Sequence, residues 1–194
     1  MAENKVRYNL KNVHYAPITE TSGAVAYATP IHIPGAVSLS LTPEGEPNTF
    51  YADGIAYYVT TANNGYSGDL EMALIPDQFR KDVLGETEDE TDKVLMEYSN
   101  VEPKPFALLF EFDGDQKSIR HILYNCTAAR PSMEGSTNTE TKEPATETLS
   151  LTATMLADGC VKVKTTGATP ESIYRDWYKS VWQPSATPTA VSEE

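Results

Sequence analysis

Only two cysteines, Cys126 and Cys160, occur in 194 residues. Two are too few for a disulfide framework, and they form no Cys-x-x-Cys pair. They read as reduced, partly buried thiols. No run approaches the ~20 apolar residues that span a bilayer. The opening residues 1–7 have no apolar stretch behind their charges, so they do not read as a signal peptide. A soluble product made in the cytoplasm is expected, with no membrane partner. Cations are also scarce: 15 Lys and Arg stand against 28 acids, a formal charge of −13. A protein this acidic lacks the bases that displace phosphate counterions, which argues against tight nucleic-acid binding. It does not argue against DNA held at a distance. The same charge keeps an abundant protein soluble.

Catalytic signatures are missing too. The three histidines, His14, His32 and His121, fall in separate strand-like contexts, with none at i, i+4 to another. No metal-ligand spacing and no Gly-rich phosphate loop occur. Gly65-Tyr66-Ser67-Gly68 is one residue short of a nucleophile elbow. Asp113-Gly114-Asp115 lacks the rest of a calcium loop and reads as a turn. Asn125-Cys126-Thr127 matches a glycosylation acceptor in a chain with no other mark of secretion. The expectation is a non-enzymatic protein with no cofactor and no metal.

What is present is alternation with period two, the mark of half-buried strands. Val37, Leu39 and Leu41 share one face of Gly35–Thr42, with Ser38 and Ser40 opposite. Tyr66, Gly68, Leu70, Met72 and Leu74 oppose Asp69 and Glu71. Phe106, Leu108, Phe110 and Phe112 oppose Ala107, Leu109 and Glu111. Ser118–Ala128, with Ile119, Ile122, Leu123 and Tyr124, alternates less cleanly, as a strand covered on both faces would. Asp53-Gly54, Asp113-Gly114-Asp115 and Asp158-Gly159 each separate two apolar runs and supply hairpin turn chemistry.

Two helices are expected. Pro76-Asp77 starts the first, Phe79, Val83 and Leu84 form its stripe, and Gly85 stops it. Thr169-Pro170-Glu171 starts the second and Pro184 ends it. Its apolar face carries Ile173, Tyr174, Trp177, Tyr178, Val181 and Trp182, either packed on a sheet or docking a neighbour. Three polar stretches read as mobile: Glu86–Asp92, Ser132–Thr148 and the tail Ser185–Glu194. The expected division is one domain over 1–184 and a flexible tail over 185–194.

Seven landmarks in order resemble the major tail-tube proteins of long-tailed, non-contractile phages. They are Asn12-Val13-His14-Tyr15-Ala16, Gly35–Leu41, Phe50–Gly54, Tyr66–Ala73, Ile75–Phe79, Pro105–Glu111 and Tyr124–Pro131. The resemblance runs from about Tyr8 to Pro184, and surface decoration by the extra immunoglobulin-like domain that some members carry is not expected. It implies a mainly β fold: an antiparallel β-sandwich or barrel with one short helix and one C-terminal amphipathic helix. It implies hexameric rings stacked into a tube in the virion tail, filled by a tape-measure protein during assembly and bounded by tail terminator and distal tail proteins. It also implies that genome DNA passes through the lumen without specific binding. The expected lumen acids are Asp69, Glu71 and Glu111. The expected ring-to-ring loops carry Glu86, Glu88, Asp89, Glu90 and Asp92, and Glu134, Thr137, Glu140, Lys142 and Glu143. A related contractile tail or secretion tube would share this fold. A monomeric carbohydrate-binding or adhesin sandwich and a small β-rich hydrolase are the readings from other classes.

Overall fold

The computed structural model describes residues 4–21, 24–135, 137 and 144–184. The chain is mainly β. In order it forms β1 (Arg7–Thr21), β2 (Ala24–Tyr27), β3 (Ile31–His32), β4 (Ala36–Glu44), β5 (Pro47–Ala52), β6 (Ile55–Thr61) and β7 (Gly65–Met72). Helix α1 (Asp77–Phe79) continues into a π-helical turn over Arg80–Leu84. Then come β8 (Thr87–Glu88), β9 (Leu95–Met96), β10 (Phe106–Gly114), β11 (Ile119–Ala128), β12 (Glu147–Thr154), β13 (Lys162–Lys164) and α2 (Glu171–Asp176).

The main sheet is antiparallel, in the order β2-β1-β10-β11-β12-β7-β4, with β3 beside β1 and β13 beside β11. It curls, because Val13 and Tyr15 of β1 share one core with Leu39 and Leu41 of β4 from the other edge. Leu70, Met72, Leu108, Phe110, Leu123, Leu149 and Leu151 fill that core, and Phe79, Val83 and Leu84 of the helical turn plug it. Gly85 ends the turn at φ 76°, the left-handed value that glycine adopts without strain. The outer face of β10 and β11 holds a second core of Ala107, Leu109, Ile122, Tyr124 and Trp177. β10 is therefore buried on both faces, which is why its apolar run is nearly continuous.

Local patterns fail at identifiable places. Leu108 pairs with Leu123 but Phe106 with Cys126, so β11 carries one extra residue and its alternation breaks there. A bulge between Ala36 and Ser38 turns Val37 out to 54% exposure, away from the face of Leu39 and Leu41. Leu74 lies past the end of β7 and is 65% exposed. Asp158-Gly159 does not join two paired strands. β12 and β13 both pair with β11, at Asn125–Ala128 and at His121–Leu123, so they are one interrupted track with a small loop between. α2 covers six residues and turns follow it, so the expected helix to Pro184 is shorter than its spacing suggested. The Trp182 carbonyl beyond it accepts from the Tyr124 hydroxyl at 2.7 Å and ties the segment to β11. Glu86–Asp92, expected to be mobile, contains β8, and β8 pairs with β9. The expected tail, 185–194, lies outside the described residues.

Candidate assembly surface

The β5–β6 hairpin stands out from the body. Asp53 (φ 52°) and Gly54 (φ 76°) take the two left-handed positions of a tight hairpin turn. Six large side chains, Phe50, Tyr51, Ile55, Tyr57, Tyr58 and Val59, are each between 55% and 69% exposed. Consecutive residues point to opposite faces of a strand, so both faces of the hairpin are apolar and wet. At about 100 Å² per side chain the exposed area is of order 600 Å². An isolated hairpin is marginal in water, and a patch this size marks an interaction surface. The sequence placed the strands and the turn. Its overlooked signal was the unbroken run Ile55-Ala56-Tyr57-Tyr58-Val59, which is apolar on both faces.

The outer face of β4, β7 and β12 is chemically opposite. Ser38, Ser40 and Thr42, Ser67, Asp69 and Glu71, and Thr148, Ser150 and Thr152 project from it, while Leu70, Met72, Leu149 and Leu151 point into the core. Ser150 Oγ donates to Asp69 Oδ1 at 2.6 Å, and Ser38 Oγ and Thr146 Oγ1 donate to the two Glu71 oxygens at 2.9 and 2.7 Å. Those two hydroxyls hold the Glu71 carboxyl below its usual range. Ser67 Oγ donates to Glu44. A shallow groove of about 590 Å³ runs across this face and contains no cation in its wall. No Lys or Arg occurs anywhere between Lys11 and Arg80.

Glu111 does not join that face. It is 5% exposed and accepts from Asn12 Nδ2 (2.7 Å), Arg120 Nε (2.8 Å) and the Tyr178 hydroxyl (3.1 Å). Its side of β10 is covered by the C-terminal segment, so its charge is internally compensated and unavailable to a lumen. Asp69 and Glu71 are brought together, and Glu111 is excluded by burial.

The acidic stretch after α1 is tied down by bases. Lys81 and Lys93 contact Glu88 at 2.8 and 3.3 Å, Arg80 contacts Glu86 at 3.3 Å, and Asp89 Oδ1 accepts from the Thr91 and Asp92 amides. The Lys81 ammonium is the main reason that the Glu88 carboxyl sits low. Glu90 and Asp92 stay exposed, as do Glu134 and Thr137, while Glu140, Lys142 and Glu143 lie outside the described residues.

Of the C-terminal aromatic face, Trp177, Ile173, Tyr178, Val181 and Trp182 pack into the second core. Tyr174 instead offers its ring to the Lys117 ammonium (3.7 Å) and the Arg120 guanidinium (3.8 Å). Sequence separation also hid a histidine pair. His14 and His32 meet across β1 and β3 with ring centroids 4.9 Å apart, and His14 stacks on Tyr178 at 4.5 Å. Among the described residues no group of three or more His, Cys, Asp or Glu is placed to hold a metal, and no helix is long and apolar enough to cross a membrane.

No protein-family model matches the chain, and no curated protein matches it. Among solved structures it is similar to the tube-terminating cap of an anti-feeding prophage, seen by cryo-EM. The two share 12% identity at a TM-score of 0.45, over 84% of this chain and 94% of that one. Similarity at that level fixes neither fold nor function.

Proposed function

We propose that this chain is a non-enzymatic structural subunit of a phage-type tail tube, closing with copies of itself into hexameric rings that stack around a channel for genome DNA. The observation that carries the reading is the β5–β6 hairpin, whose two apolar faces have no cover among the described residues. A second copy supplies that cover. The resemblance of the ordered landmarks in the sequence supports the tail-tube class. A subunit of this length is about 40 Å across, and six in a ring leave a central gap of similar width, enough for a duplex. The hydroxyl and carboxylate face of β4, β7 and β12 suits the bore wall. With no cation in its wall, that face has nothing to replace the counterions of DNA phosphates. A tape-measure protein, a terminator and distal tail proteins are the further partners expected of such a tube. A contractile-tail or secretion tube would use the same surfaces.

The test is assembly of purified protein, followed by sedimentation and negative-stain imaging. Rings or tubes with an open channel are expected at high concentration. A Tyr57→Ser/Tyr58→Ser variant should stay monomeric with an unchanged melting temperature, because these side chains contribute nothing to the subunit core. An adhesin-like module would use the same tyrosines as stacking platforms and remain monomeric at every concentration. That outcome overturns the proposal.

A further inference from the structure

The main core opens to solvent in a cleft of about 160 Å³. Leu39 and Leu41 of β4 and Phe110 and Phe112 of β10 form its floor. Arg7 of β1, Tyr66 of β7, His121 of β11 and Lys162 of β13 stand around it. The Arg7 guanidinium lies 5.0 Å from the Phe112 ring centre, and the Lys162 ammonium lies 4.3 Å from that of Tyr66. Lys164 is opposite His121 in the β11–β13 pairing and shares a strand face with Lys162, so it adds a third cation to this side. Among the described residues none of Arg7, Lys162 and Lys164 makes an ion pair. The charges that act on His121 are these same three, all lowering its pKa after burial, and no acid is among them. Acids outnumber bases 28 to 15 in this chain, so three bases gathered without one acid leave a local positive field that an anion can satisfy. Lys162 Nζ also donates to the Tyr66 hydroxyl at 2.7 Å, and among the described residues the phenol proton has no acceptor, so it is available to donate in turn.

We propose that this cleft binds a small organic carboxylate, with an apolar body on the Leu39, Leu41, Phe110 and Phe112 floor and its anionic head among Arg7, Lys162, Lys164 and the Tyr66 hydroxyl. Size sets the body. A cavity of ~150 Å³ lined by Leu, Ile and Phe takes one benzene ring, and this floor matches it in volume and chemistry. Charge sets the head. Inorganic phosphate meets the bases but leaves the floor wet, and a neutral hydrocarbon covers the floor but leaves the bases unpaired. A ring bearing a carboxylate does both. Its fit is that of ordinary small-molecule sites, mostly apolar with a few convergent polar groups. Occupancy also bridges β4 to β1 and β13, so the ligand stabilises the subunit by mass action.

Phenylacetate is the probe. It is titrated into the full chain at neutral pH and followed through the His121 ring signals in proton NMR, assigned with His121→Phe, and through the melting temperature. Saturable shifts at of order 1 mM and a raised melting temperature are expected. Phenylacetamide, the neutral isostere, and inorganic phosphate should each bind at least about 10-fold more weakly, since each engages one half of the site. Lys162→Gln and Arg7→Gln should each weaken phenylacetate about 10-fold without moving the melting temperature of the free protein. Lys104→Gln, which removes the same charge elsewhere, should leave binding unchanged. No shift at about 20 mM phenylacetate overturns the proposal. So does the amide or phosphate binding as well as the acid, or an equal loss in all three variants. Lys162 acetylation that falls on assembly, in protein that ignores phenylacetate, assigns the cleft to a carboxylate of a second copy and overturns the free ligand.

Discussion

At the scale of single residues one charged network is internal. Glu111 and Arg120, with side chains 6% and 16% exposed, form a pair that links β10 and β11, and Tyr178 joins it from the C-terminal segment. Removing one partner of such a pair strands the other. Glu111→Ala should cost about 3–5 kcal/mol, read as a lowered urea midpoint. His121 gives a pH dependence. It stacks on Phe110 with centroids 5.0 Å apart. Burial first, then Lys162, Lys164 and Arg7, push its pKa down to about 4 from 6.5. The unfolded chain therefore binds this proton first, and stability must fall as pH drops from about 6.5 toward 4. Burial lowers His14 in the same direction. Urea titrations at pH 7 and pH 4.5 should differ by of order 2 kcal/mol more in the wild type than in His121→Phe. Equal pH slopes in the two proteins would refute the assignment. None of this was legible in advance, because His121, Lys164 and Arg7 meet only through pairing of β11 with β13 and of β10 with β1.

Elements show where sequence pattern was sufficient and where it was not. The turn at Asp53-Gly54 was readable because the left-handed backbone it needs is a local demand. The stripe of Phe79, Val83 and Leu84 was readable for the same reason, since helical spacing alone puts these side chains on one face. Asp158-Gly159 was misleading, since a turn signal says that the chain reverses and not which strand receives it. A close approach between elements was also invisible: a Cβ on Gly68 would lie 1.9 Å from the Ser40 carbonyl oxygen of β4. Gly68→Ala should prise β4 from β7 and destabilise the subunit by at least about 2 kcal/mol, checked by thermal melts. Hydrogen exchange should then rise first along β4, the edge strand, with β10 and β11 still protected.

Across the whole molecule, charge and apolar area are sorted in space. The formal charge of −13 makes copies repel one another, while the exposed hairpin attracts. Assembly should therefore strengthen as salt rises from about 20 to about 200 mM, because the repulsion is screened and apolar contact is not. Light scattering against concentration measures this, and weaker assembly with added salt would contradict it. Duplex DNA should give no retained band with the assembled protein near 0.15 M salt. The sequence by itself determined that strands dominate, where most turns fall, where both helices begin, and that no recognisable catalytic motif is present. These follow from spacing, from turn residues and from composition, each of which acts over a few neighbours. Only the tertiary structure decided which faces stay open. Asp69 and Glu111 look alike on their strands, yet one faces water and the other is sealed beneath the C-terminal segment. The hairpin reads like any core strand pair, yet nothing among the described residues covers it. Burial depends on partners about a hundred residues away, such as Tyr15 with Leu108, and no local pattern encodes what arrives from that distance.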